Sequence, residues 1–220
     1  MHANWDTLRP LLYEAIGQTI YLVLLTFVAS GLIGLFLGTV LYVTRKGGLL
    51  ANAPINLLLN VIVNVVRPIP FIILLAALGP VTLKVVGTTI GGDAAAFVMI
   101  VAASVFIARI VEQNLVTVDP GVIEAARAVG AGPLRIILTL LIPEALGPLV
   151  LGYTFAVIGI VDISAMAGTV GGGGLGDFAL VQGYQRFNWQ VTLVATLIII
   201  AGVQVIQFFG NWIARKVLRR

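Results

Sequence analysis

The sequence predicts an all-α integral membrane protein of about five transmembrane helices. Three observations carry that prediction: an apolar composition, five long stretches nearly free of charge, and basic residues crowded into alternate loops. Sixty percent of the 220 residues are hydrophobic, 10% are charged, and the mean hydropathy is +1.09. A soluble domain carries about 25% charged residues, because its surface faces water. This chain has too little polar surface to cover itself, so its solvent is lipid.

A helix needs about 20 mostly apolar residues to cross the hydrocarbon core. The expected spans are Ile16–Val43, Asn56–Leu78 with Arg67 interrupting it, Ala94–Val111, Leu146–Ala167 and Val191–Ala214. The leader Met1–Glu14 carries Asp6, Arg9 and Glu14 without basic bias, and the stretch from Ala15 to Thr44 has no charge. A signal peptide has a basic n-region and only about 7–15 apolar residues, so this first segment is expected to be retained as a span.

Orientation follows from the basic residues of the short loops. With the N-terminus outside, the cytoplasmic side receives Arg45, Lys46, Arg67, Arg109, Arg127, Arg135, Arg215, Lys216, Arg219 and Arg220, and the outer side keeps Arg9, Lys84 and Arg186. Ten against three predicts N-out, C-in, which an odd number of spans also requires. The net charge of +4 then reports cytoplasmic loops, not a surface for nucleic acid. Cysteine is absent and the one histidine, His2, lies near the terminus. Disulfides and thiolate metal sites are excluded.

Within the spans, Ser30, Gly34 and Gly38 form a ladder of small residues that lets helices approach closely. Ala94, Ala95, Ala96, Ala102, Ala103, Ser104 and Ala108 make the third span unusually slim. Ordinary packing within the bundle explains both better than a dedicated dimer face. Asn52, Asn56, Asn60 and Asn64 recur every four residues, placing four amides along one slowly turning helical face. They require water or protein: either an interfacial helix entering obliquely, or a stripe toward a subunit or an aqueous path. Arg67-Pro-Ile-Pro70 then predicts a kink or a fresh helix start, since prolines remove backbone donors.

The most informative segment is Val111–Leu146, too polar to span. Asp119-Pro120 reads as an N-cap followed by proline at the first helical position. Val122, Ile123, Ala126 and Val129 share a face with Glu124 and Arg127 off it, and Gly130 is the stop. A second start at Gly132-Pro133 continues through Arg135 to Leu141 and ends at Pro143. The result is a helical hairpin beneath the membrane, at about residues 116–143 of a single 1–220 domain. A helix of about ten residues is marginal alone, so it docks on its own membrane domain or in a groove of a partner.

Glu124-Ala125-Ala126, then Gly130 after three residues, then Leu140-x-Ile142-Pro143 after nine more, resembles the EAA loop of bacterial ABC importer permeases. The family usually shows Ile and Leu where this chain has Leu140 and Ile142. Further strings, Leu41-Tyr-Val-Thr-Arg45, Arg67-Pro-Ile-Pro-Phe-Ile-Ile-Leu-Leu75, Phe106-Ile-Ala-Arg-Ile-Val-Glu112, Ser164-Ala-Met166 and Gly171–Gly176, resemble the methionine branch of that family from about residue 20 onward. The resemblance implies a type I ABC importer fold in the bacterial inner (plasma) membrane. It implies a homodimer of permeases, two ATPase subunits and an extracytoplasmic methionine-binding lipoprotein. Glu124, Ala125, Ala126, Arg127, Gly130, Pro133 and Pro143 would then form the coupling helix and its flanks, seated in a cleft of the ATPase.

The chain itself has no G-x-x-x-x-G-K-[ST]: Lys46, Lys84 and Lys216 each follow a residue other than glycine. It is therefore expected to be a permease and not an enzyme, with no cofactor of its own and with ATP and Mg in the partner ATPase. Closure of two ATPases would draw the coupling helices together and rock the spans between inward- and outward-open states.

Asp162 is the one acidic residue well inside an expected span, and such carboxylates usually face a cavity or a partner. Relatives tend to carry a small neutral residue there, so Asp162 would favour a cationic or zwitterionic solute. It leads into Ser164 and Met166, and then six glycines in residues 168–176 make continuous helix improbable. Asp162, Ser164 and Met166 are the candidates for pathway or gate, with loop flexibility as the plainer account of the glycines. Arg109 and Glu112 read as a snorkelling arginine with an i,i+3 pair, or as an ATPase contact. Arg215, Lys216, Arg219 and Arg220 read as an anchor to anionic lipid.

The expected function is thus import of a small amino acid, most simply methionine, by alternating access; another amino acid, polar or cationic, is the nearest alternative. An ion-coupled secondary transporter would need more intramembrane ionisable groups and internal repeats. An intramembrane enzyme would need a catalytic set, yet no span holds a Cys, a His or a close carboxylate pair.

Overall fold

The first helix sets the frame. In the computed structural model, which describes residues 5–218, α1 runs as one rod from Trp5 to Thr44. His2, Arg219 and Arg220 lie outside the described residues. Forty residues at 1.5 Å each make a rod about twice as long as the roughly 30 Å hydrocarbon core. The helix therefore begins well before Ile16 and carries Arg9 and Glu14 with it, because nothing after Pro10 breaks it.

Alongside α1 lies the equally apolar Gly92–Leu115, here α5, running parallel to it. The contact depends on missing side chains. A Cβ on Gly34 would run into Ile107 and the Ser104 carbonyl, and one on Gly38 into the Ala108 carbonyl and Val111. The small-residue ladder thus serves packing within the chain. Ala94, Ala95, Ala96, Ala103 and Ala108 are buried along α5.

Between these two rods in sequence come α2 (Ala53–Val66), α3 (Phe71–Ala77) and α4 (Gly79–Val86). The span expected over Asn56–Leu78 is broken at Arg67-Pro-Ile-Pro70, as the prolines there predict. Helices α2 and α3 meet at 111°, because Pro68 and Pro70 withhold the donors that would carry the helix through. Asn52 caps α2, accepting from the Ile55 amide at 3.1 Å. α2 turns back along α1, with the Asn56 amide donating to the Leu41 carbonyl and Thr44 Oγ1 at 2.8 and 3.1 Å.

The asparagine stripe is engaged within the chain. Asn60 donates to the Asn56 side chain. Asn60 and Asn64 each accept from the Arg109 guanidinium on α5 at 3.2 and 2.7 Å. Arg109 in turn pairs with Glu112 at 2.5 Å. Leu57, Leu58, Val61, Ile62 and Val65 occupy the opposite, exposed face of α2, as lipid contact demands.

Beyond α5, α6 (Pro120–Ala128) and α7 (Pro133–Ile136) make the hairpin, followed by a π-helical turn, Ile137–Leu141, and the short α8 (Ile142–Glu144). The long helix α9 (Leu146–Ala167) runs back antiparallel to α1 and α5. Tyr153 fixes this crossing: its hydroxyl donates to the Gly31 carbonyl at 2.7 Å, and its ring meets Phe27 edge-on. After the glycine segment, α10 (Gly174–Asp177) and a π-helical run, Phe178–Tyr184, lead to α11 (Trp189–Leu218).

Four helices are long and apolar enough to cross a membrane, and the bent α2–α3 pair makes a fifth candidate. The described residues hold no strand. The 45–52 loop, the hairpin and the last turns of α11 gather at one end of the bundle. The glycine segment and the start of α5 sit at the other.

Gly38→Val forces α1 and α5 apart, and overpacking of this kind costs about 1–3 kcal/mol. The expected outcome is a lower melting temperature and a reduced monodisperse yield in detergent. Gly79→Ala, where an added Cβ meets nothing, serves as the unaffected control.

Candidate functional site

Two places on the scaffold carry chemistry beyond packing. The first is the hairpin. Asp119 Oδ1 accepts from the Gly121 amide at 2.8 Å, Pro120 occupies the first helical position, and nine residues later the helix stops. The Gly130 and Ala131 amides return to the carbonyls of Arg127 and Ala126 at 2.9 and 3.1 Å. This return needs φ of +82° at Gly130, a left-handed conformation that costs any side chain roughly 1–2 kcal/mol.

No residue of α6 is buried. Ile123 rests against the main core, Val122 and Ala126 are half-buried, and Glu124, Ala125 and Arg127 are exposed. Val129 does not share the docked face; it lies at the C-cap, where the backbone has left helical angles, and is 85% exposed. Leu134 is 69% exposed, and Pro133 and Pro143 are also exposed. The hairpin thus docks by one edge and offers small and apolar side chains outward. Arg127 Nη2 reaches the Gly48 carbonyl at 3.2 Å, tying α6 to the turn between α1 and α2.

The second place is a cavity of about 250 Å³ where α3 bends away from α2, walled by the middle of α5 and by α9. Asp162 lies on its wall and is exposed; among the described residues its carboxylate has no ion-pair or hydrogen-bond partner. Ser164 and Met166 do not join it there. Two residues along a helix turn about 200°, so Ser164 points to the opposite face, buried, with its hydroxyl donating to the Val161 carbonyl at 2.7 Å. Met166 is 37% exposed and lies outside the cavity wall.

The glycine segment ends α9 by geometry. Val170 and Gly171 leave helical angles, and Gly173 and Gly174 have φ of +74° and +86°. The chain then packs back: a Cβ on Gly168 would strike the Asp177 amide, and one on Gly176 the Ala165 carbonyl. Gln18 and Thr19 of α1 accept from the Gly174 and Leu175 amides at 2.7 and 2.8 Å. Close approach, not flexibility, accounts for these glycines.

Sequence reasoning counted Arg67 among the cytoplasmic residues, whereas it lines the cavity beside the middle of α5, and it missed Asn60 and Asn64 as ligands of Arg109. The four-residue asparagine period was the available signal for the second. The first had none, because the bend that places Arg67 is tertiary.

The chain as a whole is matched in known proteins. The family profile of binding-protein-dependent transport system inner membrane components matches residues 31–219. The chain belongs to this family. It is 42% identical to the probable D-methionine transport system permease protein MetI of Vibrio cholerae, over 99% of this chain and 97% of that one. It is also 42% identical to the methionine import system permease protein MetP of Bacillus subtilis, over 82% and 81% of the two chains. Its fold matches a chain of the MetNI methionine ABC transporter, described in inward-facing conformations, with a TM-score of 0.93 at 41% identity. That match covers 96% of this chain and 98% of the other.

The chain is accordingly an inner-membrane permease subunit of an ABC importer with a type I fold. It works with ATPase subunits, and ATP hydrolysis belongs to them.

Arg109→Leu removes the donor shared by Asn60 and Asn64 and leaves Glu112 unpaired, a loss of about 1–3 kcal/mol for each stranded polar group. Faster hydrogen–deuterium exchange across Ala53–Val66, with α9 unchanged, is the expected result.

Proposed function

We propose that this permease imports methionine, working as a homodimer with two ATPase subunits and an extracytoplasmic substrate-binding lipoprotein. The observation that carries the reading is the hairpin at 116–143, whose helix α6 has no buried residue although the hairpin is anchored by Val118, Ile136 and Leu141. The methionine permeases it resembles supply the substrate. The whole chain acts as one domain, N-out and C-in, so that the hairpin meets the ATPases in the cytoplasm, where ATP and Mg²⁺ are bound.

The roles follow from the geometry. Ala125 and Ala126 keep α6 slim enough to enter a cleft, with Glu124 beside them for polar contact. Gly130, Pro133 and Pro143 fix the path of the chain on either side. Arg127 couples α6 to the α1–α2 turn, so displacement of the hairpin is passed to both helices. The partner's closure then repositions α1 and α5 together as one packed body, opening the path on one side and closing it on the other. Asp162 lies on that path.

The test is ATP-dependent uptake of labelled methionine by proteoliposomes holding the permease, its ATPase and its binding protein. Uptake competed by unlabelled methionine supports the reading; ATP hydrolysis with uptake of a different amino acid overturns the substrate; failure of any ATPase to associate overturns the role of the hairpin. Gly130→Leu, which strains the αL stop, is expected to lower uptake at least about tenfold while hydrolysis continues.

A further inference from the structure

The 250 Å³ cavity has two charged side chains on its wall, and they are opposite in sign: Arg67, at the end of α2, and Asp162, on α9. The rest of the wall is apolar or small, with Phe71, Leu74, Phe106 and Ile163 beside Ala103 and Gly159. Depth follows from the helices that supply it. Ala102, Ala103 and Phe106 are the middle of α5, so the cavity lies far from both ends of the bundle. A break in a span is tolerated at such depth where it lines a cavity, and the 111° bend is that break.

Neither charge is answered within the chain. The guanidinium of Arg67 and the carboxylate of Asp162 make no ion pair or hydrogen bond among the described residues, with each other or with a third group. By contrast, Arg109 on α5 engages Glu112, Asn60 and Asn64. Unanswered charges at membrane depth are costly and are usually kept for a pathway. One cation and one anion facing a shared space of this size are answered together by a molecule carrying both charges close together. The volume falls just below the roughly 300–1,000 Å³ of sites for drug-sized ligands, which suits a smaller solute.

We propose that Arg67 and Asp162 form a transit site for a zwitterionic α-amino acid, Arg67 taking its carboxylate and Asp162 its ammonium while the apolar wall receives an uncharged side chain. Arg67 is suited to the carboxylate because its planar fork can donate two parallel hydrogen bonds. The absence of a third charge on the wall selects against a side chain that is itself cationic. This site rests on the proposed importer function and names how that importer holds its cargo between the binding protein and the cytoplasm.

The test uses the full complex of permease, ATPase and binding protein in proteoliposomes, reading initial uptake of labelled L-methionine. Arg67→Gln and Asp162→Asn are each expected to lower uptake at least about tenfold, with dimer assembly, ATPase association and basal hydrolysis retained. Asp162→Glu and Arg67→Lys, which restore charge, should recover much of it. Gly159→Leu, which fills the cavity without touching either charge and favours helix, should also lower uptake. Unchanged uptake in both charge-removing variants overturns the site. So does loss of uptake together with assembly, since the pair would then hold subunits together. If the wild-type complex carries another zwitterionic amino acid and no methionine, the substrate reading fails while the same variants test the site with that solute. If it carries no amino acid, both fail.

Discussion

The close parallel approach of α1 and α5 is the constraint on which the rest of the structure depends. It exists because Gly34 and Gly38 present bare backbone where Ile107, Val111 and two carbonyls of α5 arrive. Lipid offers no hydrophobic reward for bringing two apolar helices together, so their association rests on dispersion and fit. Small residues on both sides maximise that fit. Every later element uses this pair as a base: α2 lies along it, α9 crosses it through Tyr153, and the glycine segment seats its amides on Gln18 and Thr19.

Polar groups in the bundle show what that environment demands. Thr44, Thr82, Asn114 and Thr154 return their side chains to carbonyls one turn back, the cheapest answer when water is absent. The asparagines of α2 are answered across helices, Asn56 by Leu41 and Thr44 of α1 and Asn60 and Asn64 by Arg109 of α5. This network makes the seam between α2 and α5 directional in a way apolar packing does not, fixing α2 in register along α5. The bend after Val66 then falls where the cavity opens. The hydroxyls of Thr26, Ser30, Thr39 and Ser104 are buried without a partner, and the structure offers no compensation for them.

The division of labour follows from rigidity. Four long helices pack as one body, and the hairpin is attached to one end of it by capped, glycine-stopped turns. The hairpin hangs from the last turn of α5 and the first of α9, with Arg127 as a third attachment at Gly48. α6 is thus linked to α1, α5 and α9 by three short connections. The same body carries the cavity at its middle, lined by α5 and α9.

Class, span positions, the ladder of small residues and the hairpin were all legible in the sequence, because each is a local property. Hydropathy over about 20 residues, proline and glycine at helix ends, and the N-cap at Asp119 act on the chain segment that carries them. The second span was legible as a stretch and as a break at Arg67-Pro68-Ile69-Pro70, but not as a 111° turn, since the angle depends on what α3 packs against. The outward swing of Val129 and the separation of Ser164 and Met166 from Asp162 were likewise invisible, because spacing along a helix does not say which face meets a neighbour. Only the tertiary structure decided that Asn60 and Asn64 answer one arginine and that Arg67 and Asp162, far apart in the chain, look into one space. Opposite charges so distant in sequence meet only when three packed helices bring them together, and no local rule encodes that.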